Sequence, residues 1–173
     1  MGLESAILAH LGLGSSTSPV PYHTTTFLVI NFFCAYVLSS PRIAKARYGL
    51  DHNSAPRADL DKYGAAAVRA GKLTEAEVDR IKRAEAAHAN AVEHYPVFVA
   101  GMLAATLAGV RPGTVNACGT LYTLARSAYI VAYVRTTTEK LSYIRSALWW
   151  VGNVAVFWLV WSTGKVVDAS GRM

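Results

Sequence analysis

Two ionisable residues, Glu93 and Arg126, lie in stretches that are otherwise mostly apolar. A charged side chain at the centre of a hydrocarbon layer costs about 2.5–3.5 kcal/mol on insertion scales. A chain keeps such groups where they face a protein interior or a wet cavity, which makes both candidate site residues. Glu93 belongs to RAEAAHANAVEHYP, Arg83 to Pro96. At about 100° per residue, Arg83, Ala86, Asn90, Glu93 and His94 fall in one helical stripe, with His88 pointing roughly the opposite way. Arg126 belongs to ARSAYIVAY, Ala125 to Tyr133, where Arg126, Tyr129 and Tyr133 share a face by their spacing of three and four. The chemistry on offer is an anion pocket: guanidiniums, an amide, phenol donors, and a carboxylate able to receive an amine. Lipid rewards neither stripe, so the two are expected to face each other. The same residues also suit a plainer role as polar glue between helices, with Glu93 neutralising Arg126 and the tyrosines forming an interfacial belt.

Four apolar stretches must position these groups: Thr24–Ser40, Tyr95–Val110, Thr114–Val134 and Ala147–Gly164. With their flanking turns, each approaches the roughly 20 residues needed to cross a bilayer. The expected spans are 22–46, 75–110 (with a cytosolic extension), 114–135 and 143–166, in one all-α domain, 1–173. The first is expected to run past Pro41 and end before Gly49. Asp51–Leu73 reads as a polar excursion with a short helix inside it. Thr74–Glu77 reads as a capping box that starts the second long helix before the membrane. Pro96 should kink that helix, and Arg111-Pro112-Gly113 should end it. The first twenty residues read as a loose polar lead-in, with neither the basic region nor the cleavage site of a signal peptide.

The chain is 53% hydrophobic and 16% charged, and ten of its 17 Lys and Arg lie between Arg42 and Arg83. The loop before the fourth span carries Arg135, Lys140 and Arg145. The positive-inside bias places both basic loops in the cytosol and both termini in the lumen or outside. Anionic headgroups account for the surplus of cations, so no nucleic-acid partner is expected. Cys34 and Cys118 both fall in expected spans and read as small buried apolar side chains. No metal-ligand spacing is present. The outer halves of the spans carry few polar side chains, which argues against a transporter or channel subunit.

Asn90-x-x-Glu93-x-x-Pro96, preceded by Arg83 and Ala87-His88 and followed by Arg126-x-x-Tyr129-x-x-x-Tyr133, resembles the MAPEG family, the membrane-associated proteins of eicosanoid and glutathione metabolism. The resemblance runs from about Thr24 to Gly164. It implies a four-helix integral membrane bundle, assembled as a homotrimer in the endoplasmic reticulum or another intracellular membrane. Glutathione would lie between subunits near the cytosolic face, and a lipophilic co-substrate would arrive from the bilayer. Carried over by position, Arg42, Asn90, Glu93, Arg126 and Tyr129 would hold glutathione. Tyr133 also matches a third-helix ligand. Ile144-Arg145-Ser146 resembles the stretch that bears the catalytic Arg and Ser of the prostaglandin synthase, with Lys140 as the competing cation. Arg145, Ser146 and Tyr133 are therefore the expected catalytic residues.

One departure stands out within that resemblance. Catalytic relatives commonly carry an Arg four residues before the Asn, where this chain has Ala86. The non-catalytic member that activates 5-lipoxygenase also lacks it. Arg83, one turn back, is the available substitute. The implied function is a glutathione transferase-like enzyme acting on a lipophilic electrophile by conjugation, peroxide reduction or thiol-assisted isomerisation or cyclisation. The alternative is a non-enzymatic lipid-binding scaffold.

Overall fold

The computed structural model describes residues 2–14 and 19–171, and no strand occurs among them. The helices are α1 (Leu3–His10), α2 (Thr24–Phe32), α3 (Arg42–Arg47), α4 (Asp59–Arg69), α5 (Glu75–Ala108), α6 (Pro112–Arg135) and α7 (Glu139–Ala169). A π-helical turn, Phe33–Leu38, follows α2, and a 3₁₀ turn, Pro56–Ala58, precedes α4. Pro41, with no N–H to donate, marks the break between that π turn and α3. The element ends just before Gly49, whose φ of +68° suits a residue without Cβ.

The start of α5 is set locally, as its sequence requires. The Thr74 hydroxyl accepts from the Glu77 N–H at 3.2 Å, and the Glu77 carboxylate accepts from the Thr74 N–H at 2.8 Å. The helix continues through Pro96 and ends on Gly109, which is left-handed with φ 83°. Helices α5, α6 and α7 pack on one another, and α2 lies against α5 and α6. Their shared core holds Phe98, Met102, Ala105, Val115, Tyr122, Val156 and Leu159. The Phe98 and Tyr122 rings stack at 3.9 Å. Gly119 lets α2 approach α6: a Cβ there would stand 2.5 Å from the Phe27 ring.

Two expectations need correction. The N-terminal lead-in is not loose, because Leu3–His10 is helical and Ala9 is buried. Its support is tertiary: Asn116 Nδ2 donates to the carbonyls of His10 at 2.9 Å and Pro21 at 3.0 Å, and the Thr120 hydroxyl donates to that of Leu11 at 3.1 Å. The segment after α3 is more than a polar excursion. Leu50, Leu60, Ala67, Leu73, Val78 and Ile81 form a second small core that ties α4 to the start of α5.

Three helical stretches, Thr24–Arg47, Glu75–Ala108 and Glu139–Ala169, are long and apolar enough to cross a membrane. The α6 helix has the length, with 24 residues, but not the apolar character. It touches α1, α2, α5 and α7, so protein rather than lipid meets many of its polar side chains.

Candidate functional site

The face expected on α6 forms, and it continues onto α7. The Arg126 guanidinium lies over the Tyr129 ring, 4.6 Å from its centroid. Tyr129 and Tyr133 meet edge to face at 5.5 Å. The Arg145 guanidinium, from the second turn of α7, covers the Tyr133 ring at 4.4 Å. The result is a column Arg126–Tyr129–Tyr133–Arg145, with an arginine at each end and aromatic faces between them. Arg126 is 4% exposed. Its Nη2 donates to the Asn90 carbonyl at 3.0 Å and to Asn90 Oδ1 at 2.8 Å, which joins the column to α5. Its Nη1 is the only buried side-chain nitrogen or oxygen among the described residues without a hydrogen-bond partner. Gly152 leaves room for the arginine stem: a Cβ there would sit 3.2 Å from Arg126 Cδ.

The α5 stripe divides. Asn90 and His94 turn inward. His94 is buried, with its ring nitrogens 3.1 Å from the Tyr122 hydroxyl and 3.0 Å from Asn153 Oδ1. Glu93 and Ala86 turn outward and are exposed. Glu93 therefore does not neutralise Arg126; Asn90 holds that guanidinium. The stripe is about 100° wide, so its two edges meet different neighbours, a consequence that periodicity alone does not reveal. Arg83 donates from Nε to the Val134 carbonyl at 3.2 Å. With Arg145, Ser142 and the Thr136–Thr138 turn it lines a cavity of about 300 Å³ at the end of the column. Lys140 is exposed and does not line that cavity, and Ser146, also exposed, stands outside the column.

A second cavity, of about 580 Å³, lies on the other side of α5. Tyr36, Pro41 and Val92 supply apolar walls, and Arg42, Glu93, Glu85 and His88 supply polar ones. His88 accepts or donates at Nδ1 to the Ser39 hydroxyl at 2.9 Å, on the side of α5 expected for it. Arg42 enters already engaged, with Nε 3.0 Å from Asp51 Oδ1 and Nη2 3.1 Å from Asn53 Oδ1.

Sequence reasoning missed the charged network behind this cavity. Lys45, read as one of the loop cations facing headgroups, is 2% exposed. Its ammonium donates to the Pro56 carbonyl and to Glu85 at 2.9 Å, with Asp59 at 3.9 Å. Asp59, 1% exposed, accepts from the His52 backbone N–H at 3.0 Å and faces its ring nitrogen at 2.9 Å. Burial pushes the Asp59 carboxyl upward, but the bonds from His52 and the charges of His52 and Lys45 outweigh it and hold the group below the ordinary aspartate range. The helical spacing of Lys45 gives no sign of these partners, which come from the 3₁₀ turn, the start of α4 and α5. Cys118 is buried and Cys34 half-buried; both are free thiols. No group of His, Cys, Asp and Glu able to hold a metal occurs among the described residues.

Three helices long and apolar enough to cross a membrane, packed with α6 and its arginine–tyrosine column, are the architecture of an integral membrane helical protein. The family model of the MAPEG family matches residues 20–165, and the chain belongs to that family. No curated protein and no solved structure matches the chain. The family includes glutathione transferases and related enzymes, and also non-enzymatic members.

Proposed function

We propose that the protein is a glutathione transferase-like membrane enzyme acting on a lipophilic electrophile, assembled as a homotrimer of four-span subunits. The observation that carries the reading is the buried Arg126, whose Nη1 lacks a partner at the head of a column that reaches Arg145. An orphaned guanidinium nitrogen in a dry interior is a standing cost that an anionic ligand removes. Glutathione fits the donor set: its carboxylates suit Arg126 and the cations near Arg42, and its ammonium suits Glu93. When bound, it supplies a thiol whose ionised form is the nucleophile.

The residues of the chain divide the remaining work. Asn90 fixes the Arg126 guanidinium and Tyr129 stacks on it; the cavity that Arg126 and Tyr122 line measures about 10 Å³, so it must widen for a ligand atom to reach Nη1. Glu93 and Arg42 line the cavity on the far side of α5, and in the proposed trimer they would meet the ligand from there. Arg145 places positive charge beside the Tyr133 phenol, where it favours an anionic sulfur. The Tyr133 hydroxyl and, after reorientation, Ser146 are the donors for that sulfur or for a substrate oxygen. The basic segment from Arg42 to Arg83 faces the cytosol of an intracellular membrane, with the termini in the lumen.

The test is thermal unfolding in mild detergent with and without glutathione. The reading expects the melting temperature to rise with glutathione concentration, and expects Glu93→Gln to weaken that response while keeping the fold. No response at millimolar glutathione in the wild type would overturn it. The exposed Ala86 beside Glu93 favours a second reading, a non-enzymatic lipid-binding scaffold. That reading expects stabilisation by fatty acids and none by glutathione.

A further inference from the structure

The cavity that contains Glu93 is lined by three cations: Arg42, Lys45 and Arg57. Two of them are committed to the protein. Arg42 is held by Asp51 and Asn53. Lys45 has spent its donors on the Pro56 carbonyl, Glu85 and the Asp59 carboxylate, and it is almost inaccessible. Arg57 is exposed, and among the described residues it makes neither an ion pair nor a side-chain hydrogen bond. The carboxylates divide in the same way: Glu85 is taken by Lys45, whereas Glu93 has no partner among the described residues.

Arg57 does not sit on a loose loop. It occupies the middle of the 3₁₀ turn Pro56–Ala58. The residue before it is anchored by Lys45 through the Pro56 carbonyl. Two residues after it, Asp59 is buried against His52, and Leu60 inserts into the second core. The charged network and that core therefore aim one free guanidinium at the cavity, beside the position where Ala86 leaves open space.

We infer that Arg57 is the anion receptor of this cavity and, with Glu93, selects ligands that carry both an acid group and an ammonium. Tyr36, Pro41 and Val92 accommodate the apolar part of such a ligand. The inference deepens the proposed function, because glutathione has this chemistry, but a zwitterionic lipid from the bilayer has it too. Arg42 then acts as a strut that holds Asp51 and the loop, and Arg57 makes the ligand contact.

Binding of glutathione and of lysophosphatidylcholine to the purified full-length protein in detergent tests this by calorimetry. Each is measured for wild type, Arg57→Ala, Arg57→Lys and Arg42→Gln, with melting temperatures as the check on folding. The inference expects Arg57→Ala to weaken the ligand that binds wild type by about tenfold or more, the size of one lost hydrogen bond to a charged group. Arg57→Lys should recover part of that loss, because it keeps the charge without the fork. Arg42→Gln should change affinity by less than Arg57→Ala. Arg57-dependent binding of lysophosphatidylcholine alone supports the inference and overturns the glutathione reading. Glutathione binding that survives Arg57→Ala unchanged overturns the inference and leaves the proposed function standing. Failure of wild type to bind either probe overturns both.

Discussion

Replacing Arg126 by Met separates a binding arginine from a structural one. The wild-type guanidinium gains two bonds to Asn90, at 3.0 and 2.8 Å, and a stack on Tyr129. Hydrogen bonds to a charged group are worth about 1.5–3 kcal/mol each, and the stack about 1–2 kcal/mol when desolvated. Against this stands a penalty of several kcal/mol for removing the ion from water, increased here by an unpartnered Nη1. The gains and losses nearly cancel, and a methionine of similar length keeps the stem packing beside Gly152. Arg126→Met should therefore change unliganded stability by about 1 kcal/mol or less, with either sign. Asn90→Ala should cost more, about 1.5–3 kcal/mol, because it leaves the buried charge with one bond fewer. For a chain of this length each kcal/mol corresponds to about 2–4 °C. Asn90→Ala should thus lower the melting temperature by about 3–12 °C, and Arg126→Met by clearly less. A ligand at a hundredfold its Kd adds about 2.7 kcal/mol. That shift should appear with glutathione in wild type and vanish in Arg126→Met. If Arg126→Met melts lower than Asn90→Ala and still responds fully to glutathione, the guanidinium is helix glue and the reasoning fails.

Arg145→Ala should leave glutathione affinity within about twofold and lower the thiolate absorbance at neutral pH. A rise of one unit in the thiol pKa cuts the thiolate about tenfold, and raising the pH should restore part of the turnover. Full turnover in Arg145→Ala combined with its loss in Lys140→Ala would reassign the cation. Asp59 is held below its ordinary range in the folded chain, so its contribution to stability is present above the unfolded aspartate value and is lost as pH falls through the lowered folded one. Thermal unfolding followed from pH 6 downward should show that loss in wild type, and a flatter profile in Asp59→Asn would confirm the assignment. Gly119→Ala should destabilise by about 1–3 kcal/mol, since its Cβ would overlap the Phe27 ring at 2.5 Å. An unchanged melting temperature would show that α2 does not bind α6 this closely.

What the sequence made legible is what local geometry decides. The Thr74–Glu77 box fixes the start of α5 through groups three residues apart. The column on α6 follows from spacings of three and four, and its helical register needs no knowledge of neighbours. The resemblance named Arg145 and Tyr133 without placing them in contact; the stacking of the Arg145 guanidinium on the Tyr133 ring depends on how α7 packs against α6. What stayed hidden depends on segments far apart in the chain. Lys45 finds Glu85 forty residues on, and Asn116 caps a helix more than a hundred residues earlier. Neither partner lies within any local pattern. The plainer pairing of Glu93 with Arg126 does not form for another reason: Glu93 and Asn90 are close in angle on one helix, and only the placement of α6 decides which of them meets Arg126.

The low apolar character of α6 and the orphaned nitrogen of Arg126 have one physical origin. A helix that faces lipid must satisfy every polar group within itself. A helix surrounded by others can carry Asn116, Thr120, Thr123, Arg126 and Tyr129, because neighbours supply partners. Most of these groups are fully met: Thr123 accepts from Asn31 at 2.7 Å, and Asn116 bonds three backbone groups. Were Arg126 one more piece of helix glue, the same surroundings would be expected to satisfy it equally well. Instead α5 offers it a single residue, Asn90, and turns its carboxylate, Glu93, away into the opposite cavity. The charge that could have neutralised the guanidinium is held in reserve on the outer face, beside Arg57. Arg126 inside the bundle and Glu93 on its outer face therefore stand on opposite sides of α5, with neither Nη1 nor the carboxylate partnered among the described residues.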